Sequence, residues 1–137
     1  MTAQRPHPTT ERPLDAPLLT FDFPALLTQI KREDTWHKGS RNAMTLYKGE
    51  GLRVVLVAMH AGTVIPSHRA DSPISLQVIE GILKFSADAQ TVTLGQGQLL
   101  TLHAGMPHVV EAVEESAFLL TVATEAKHVA ESQPQVP

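Results

Sequence analysis

From Arg41 to Ala123 the chain is cut into short β-type runs by Gly, Pro, Asp and Asn at intervals of about ten residues, with no helical pattern between them. The runs are Arg41–Lys48, Leu52–His60, Ile74–Glu80, Ile82–Ala87, Thr91–Leu94, Leu99–His103, His108–Val113 and Phe118–Ala123. Turn signals such as KGEG at 48–51 and LGQG at 94–97 separate them. Parallel strands need long, usually helical, crossovers, so uninterrupted short strands exclude a parallel α/β sheet and leave a sandwich or a closed barrel.

The rest of the chain adds little that could compete with this β unit. Its 137 residues suffice for one ordinary domain. Residues 1–18 carry Pro6, Pro8, Pro13 and Pro17 among polar residues, and 125–137 are similar, so both read as disordered or extended tails flanking a domain at 19–124. One short helix is expected at the start of that domain. Asp22 is placed to cap it, Pro24 falls in its first turn, and Leu26, Leu27 and Ile30 follow at helical spacing before it stops near Arg32 to Asp34. Without cysteine the chain has no disulfide, thiolate metal site or cysteine nucleophile, so any metal must be held by histidine, carboxylate or neutral oxygen donors. A net charge of -3 with scattered basic residues argues against nucleic acid, and no apolar run suits a secretory signal or a membrane span. The expectation is a cytoplasmic protein.

Side-chain alternation places Ile74, Leu76 and Val78 on one face of their strand, and His108 on one face with Val110 and Ala112. A histidine on an apolar face calls for an explanation, and the spacing around it supplies one. The segment GTVIPSHRADSPISLQVIEG, residues 62–81, resembles the first cupin motif, G-x5-H-x-H-x3-E-x6-G, with Gly62, His68 and Gly81 in register. The segment GQLLTLHAGMPH, residues 97–108, resembles the second, G-x5-P-x-G-x2-H, with His103 in place of the proline. The two lie one hairpin apart. The resemblance implies an all-β fold, the cupin double-stranded β-helix, a jelly-roll-like barrel preceded by one short helix.

The resemblance also implies where chemistry would sit. Metal-dependent cupins converge two histidines and a glutamate of the first motif and one histidine of the second on a transition metal inside the barrel. Here His68 and His108 occupy ligand positions, whereas Ala70 and Ile74 replace the other two. Two imidazoles would hold Zn, Fe, Ni, Mn or Cu weakly, unless His60 or His103, each at a strand end near the expected barrel mouth, completes the set. The alternative for a strand-end histidine is solvation or a backbone hydrogen bond. Arg69, beside His68, is a candidate contact for an anionic ligand. Glu80, Glu111, Glu114 and Glu115 read as a solvated rim, Gln77 as pointing away from the cavity, and Trp36 as core packing or a dimer contact. Apolar residues on both faces of Ile74–Ile79 and Phe118–Ala123 suggest a sheet covered twice, hence a homodimer. Three functions fit: a barrel binding a small molecule, a metal, or both, in its cavity through His68 and His108; a metal-dependent dioxygenase or isomerase; and a structural or partner-binding barrel with no active site.

Overall fold

The computed structural model describes residues 12–124. Two short helices, α1 (Phe23–Ile30) and α2 (Asp34–Lys38), precede nine strands. These are β1 (Arg41–Gly49), β2 (Leu52–Met59), β3 (Val64–His68), β4 (Ile74–Glu80), β5 (Ile82–Ala87), β6 (Gln90–Gly95), β7 (Leu99–Leu102), β8 (His108–Ala112) and β9 (Ser116–Ala123). They form a five-stranded sheet in the order β1-β2-β9-β4-β7 and a four-stranded sheet in the order β3-β8-β5-β6, with every pairing antiparallel. This is the jelly-roll arrangement expected from the sequence.

Two elements escape the sequence pattern. Strand β3 is an edge strand whose residues are mostly exposed and include Pro66, so it has neither an apolar alternation nor a full ladder to announce it. Helix α2 has only five residues and lacks a side-chain N-cap bond, and it exists because Trp36 is buried on the sheet below it. Helix α1 follows its sequence signals. Asp22 Oδ1 accepts from Ala25 N at 3.2 Å, Pro24 lies in the first turn, and Leu27 and Ile30 are buried.

The five-stranded sheet is covered twice. Its inner face meets the four-stranded sheet around Val57, Met59, Leu76, Val78, Leu83, Phe85, Val110, Ala112 and Phe118, which form the barrel core. Its outer face at β1 and β2 carries Met44, Leu46, Leu56 and Ala58 against Leu27, Ile30 and Trp36 of the helices, with Ala117 of β9 joining them. Ile79 and Leu119 pack against this same cluster. Lys31, at the end of α1, pairs with Glu80 and, at 2.8 Å, with Glu115, tying the helix to the β4–β5 and β8–β9 turns. The two carboxylates read as a solvated rim thus have a shared partner. Burial lowers the proton affinity of the Lys31 ammonium, but hydrogen bonds and charge from Glu115 and Glu80 outweigh it and hold the pKa above its ordinary value.

The stretch from Arg12 lies along β1. The Arg12 guanidinium donates to Thr45 O at 3.0 Å, and Lys48 N donates to Leu14 O at 2.9 Å, so prolines that cannot donate still leave carbonyls and an arginine to cover the β1 edge. The remaining tail residues, 1–11 and 125–137, lie outside the described residues.

Two tight turns set the sheet ends. At Gly81, with φ +82°, an added Cβ would overlap Glu115 O and Ser116 Oγ and come within 2.7 Å of Ser116 Cα. The fully buried Ser116 hydroxyl accepts from Ile82 N at 3.1 Å and has Ile82 O and Glu114 O as acceptors, so two turns are locked together there. The β5–β6 hairpin turns through Asp88 and Ala89 alone, since Ala87 pairs with Gln90, and both turn residues have positive φ, 49° and 61°. That is a type I′ turn, in which glycine is strongly favoured at the second position.

Three substitutions test these turns. Gly81→Ala should cost more than about 3 kcal/mol because backbone must move as well as adopt a strained φ, whereas Gly105→Ala, with φ +79° and open space around it, should cost about 1 kcal/mol, as read from chemical denaturation. Ala89→Gly should instead stabilise by about 0.5–1 kcal/mol and raise Tm by a few degrees, because relief of the left-handed alanine outweighs the added freedom of the unfolded chain.

Candidate functional site

Strand β8 brings His108 inside. Its alternation buries His108, Val110 and Ala112 and leaves Val109 and Glu111 only partly covered, as the sequence pattern implies. Pairing with β5 sets Ala87 opposite His108 and Phe85 opposite Val110, and the Phe85 and His108 rings lie nearly parallel, 13° apart, with centroids 5.3 Å apart. On its other side His108 faces β3. A register shift between Ile65 and His68 makes His68 the direct partner of His108, and the two imidazoles sit 4.3 Å apart at 59°. The two motif histidines are therefore brought together, one 4 % exposed and the other on the surface.

Both rings are oriented in the same way. His68 Nδ1 lies 3.1 Å from Pro66 O, and His108 Nδ1 lies 3.1 Å from Met106 O. A carbonyl oxygen only accepts, so Nδ1 of each ring is the donor in its contact. Among the described residues neither Nε2 has a hydrogen-bond partner. Gly105 N donates to Ala70 O at 2.7 Å, joining the loop after β3 to the loop before β8 and holding the two histidine-bearing segments together.

A cavity of about 330 Å³ lies beside residues that contact His108, although neither His68 nor His108 is part of its lining. It opens between β6 and β7, the neighbouring edge strands of the two sheets, and is lined by Phe85, Ala87, Asp88, Gln90, Val92, Leu100, Thr101, Leu102, His103 and Met106. Three of these touch the pair's surroundings directly: Phe85 stacks on His108, Ala87 is its cross-strand partner, and Met106 holds its Nδ1 proton. His103 is exposed and lines the cavity, as its strand-end position suggested. Arg69 is exposed next to His68 and is not part of the lining. A second cleft, between α1 and β4, contains Lys31 and Glu80, which already satisfy each other.

His60 is elsewhere. It shares a face with Leu56 and Ala58, as alternation requires, but that face is the outer one beneath the helices. Its ring stacks on Trp36 with centroids 3.5 Å apart, and its Nε2 is 2.9 Å from Trp36 O. The expectation that His60 stands at the barrel mouth as a spare metal ligand is corrected by this placement: alternation groups residues by face without saying which face is interior. The Trp36–His60 contact has no signal in the sequence, because it joins a five-residue helix to a strand end 24 residues away.

The donor set falls short of a resident metal site. Two imidazoles bound to one ion at a right angle, with metal–nitrogen distances of ~2.1 Å, would have ring centres about 4.5 Å apart, close to the spacing seen. The other two positions contribute nothing. Ala70 has no donor side chain, and Ile74 is buried at 5 % exposure against Leu102 and Val122. Among the described residues no group of three or more His, Asp or Glu is placed to hold a metal ion. A metal would have two protein ligands where catalytic sites use three.

With the barrel and its histidine pair described, the class of fold can be stated: the chain folds as a cupin. Its structure is similar to a cupin-2 domain protein from Shewanella frigidimarina, at 18% identity and a TM-score of 0.62, over 76% of this chain and 94% of that one. It is also similar to an RmlC-like cupin from Desulfovibrio desulfuricans, at 24% identity and a TM-score of 0.57, over 61% and 82% of the two chains. A cupin superfamily protein from Desulfitobacterium hafniense matches at 14% identity and a TM-score of 0.60, over 62% and 78%. No family model and no curated protein matches the sequence. No helix among the described residues is long and apolar enough to cross a membrane.

The placements predict different costs for the three histidines. His68→Ala, on the surface, should change unfolding free energy by less than about 0.5 kcal/mol. His108→Ala should cost about 1–3 kcal/mol through lost packing on Phe85, and His60→Ala a similar amount through lost stacking on Trp36; urea unfolding measures all three.

Proposed function

We propose that this protein binds a small molecule at the mouth of its barrel, with His68 and His108 as polar anchors beside an apolar wall and no resident metal. One observation carries the reading. Phe85, Ala87 and Met106, which contact His108, also line a cavity within the ~300–1,000 Å³ range of small-molecule sites, while the positions that would complete a metal shell are Ala70 and Ile74. Such a site has the composition that ligand pockets share, a mostly hydrophobic lining with a few placed polar groups. Phe85, Leu100, Leu102 and Met106 supply the former, and His103, Thr101 and Gln90 supply the latter.

The competing reading is a metal-dependent enzyme. Its best third ligand is His103, which lines the same cavity; His60 is held by Trp36. Elemental analysis of protein purified without an affinity tag or chelator separates the two. The proposal expects metal well below one equivalent, unchanged in His68→Ala and His108→Ala, together with fragment-induced amide shifts at Leu102 and Met106. Near-stoichiometric metal that both substitutions remove would overturn it in favour of the enzyme.

A further inference from the structure

Part of the outer face of the five-stranded sheet lacks the cover that the helices give the rest. We infer that this part is the interface of a two-fold homodimer, in which Leu99 of each protomer enters its partner's cleft between α1 and β4.

The helical layer lies over β1 and β2 and reaches β9 at Ala117. Beyond it, the register sets the outward residues of β9, β4 and β7 in two rows, Leu119 beside Gln77 and Leu99, and Thr121 beside Ser75 and Thr101. Leu76, Leu100 and Leu120, in the row between, point into the barrel. None of the six outward residues is charged. Glu80, the one ionised side chain of β4, is already paired with Lys31. The outer face of the four-stranded sheet is built differently, with Lys84 and Glu111 paired side by side and flanked by the exposed Thr91 and Thr93. Water suits that face. Leucine, hydroxyl and amide groups without charge have instead the composition of an interface core, from which charged residues are depleted.

Shape points to a second copy of the chain. Leu99, at 57 % exposure, is the most exposed large apolar side chain of any strand among the described residues, and it stands on the edge strand β7. Across β4 from it, Phe23, Pro24 and Leu27 of α1 and Ile79 of β4 give an apolar lining to a cleft of about 550 Å³. A two-fold axis between this knob and this hole exchanges them, so one copy of the surface receives another. Charge agrees, because neutral rows meet neutral rows and Lys31 and Glu80 in the cleft satisfy each other. Strand spacing and helix width make β9, β4, β7 and the flank of α1 roughly 25 Å by 20 Å, close to the ~600 Å² per partner of the smaller specific interfaces. The chain's own ends are poorer occupants, since Arg5, Glu11, Glu125, Lys127 and Glu131 would bring charge onto a face with none to answer it. Thr101 also lines the cavity between β6 and β7, so the partner reaches the edge of that cavity. The interface itself does not depend on what the cavity binds.

Sedimentation velocity of the full chain, from micromolar to sub-millimolar concentration, tests this. The wild type should form a dimer, which Leu99→Glu should weaken at least about tenfold by placing an unpaired charge in the cleft. Thr101→Lys, at a second exposed position in the rows, should do the same and serves if the first variant perturbs folding. Val64→Glu, on the four-stranded sheet at 46 % exposure, should leave the dimer unchanged. A wild type that stays monomeric at every concentration would overturn the inference, and protection of the Leu99 amide from hydrogen exchange in that monomer would assign the face to the chain's own ends. A dimer that survives both Leu99→Glu and Thr101→Lys, or that Val64→Glu dissociates, would overturn it too, by moving the interface elsewhere.

Discussion

The site depends on the register of β8. In a two-layered β structure each strand offers alternate residues to the interior, and sliding β8 by one position would send His108 out with Val110 and Ala112. The register is held on both sides. Across β5, Val110 faces Phe85 and Ala112 faces Leu83, all within the barrel core. Across β3, the shift between Ile65 and His68 brings the second imidazole to the first. Apolar packing thus places a polar pair, and the packing would be lost before the pair could be rearranged.

The same alternation explains why one of the protein's histidines plays an entirely different part. On β2, Val57 and Met59 point into the barrel, so Leu56, Ala58 and His60 point out. Left bare, that outer face would be a sizeable apolar patch. Helices α1 and α2 close it with Leu27, Ile30 and Trp36, and His60 becomes a stacking partner and hydrogen-bonding group for the second helix. Lys31 then fastens the helical layer to the turns at Glu80 and Glu115, next to the Gly81–Ser116 contact.

Sharing a fold with metal-binding barrels does not transmit their chemistry. Here the backbone frame of the site is intact, with glycines at both motif ends and a Gly105–Ala70 hydrogen bond between the loops, yet two of the four side chains that would face a metal are aliphatic. What remains is a pair of imidazoles, each with its Nδ1 directed at a main-chain carbonyl.

Much of the fold was legible in the chain. Period-two alternation and Gly-rich turns marked eight of the nine strands, motif spacing paired His68 with His108, and the sequence itself showed that positions 70 and 74 carry no ligand. Strand β3 and helix α2 were not legible, because the first is an exposed edge containing proline and the second draws its stability from one buried tryptophan rather than from its own pattern. Nor could local spacing show that residues from Arg12 onward cover the β1 edge. The sequence by itself determined which residues share a face and which chemical groups are available. Only the tertiary structure decided which face is inside, and so separated His108 from His60, because alternation is a property of one strand while the interior is defined by what packs against it.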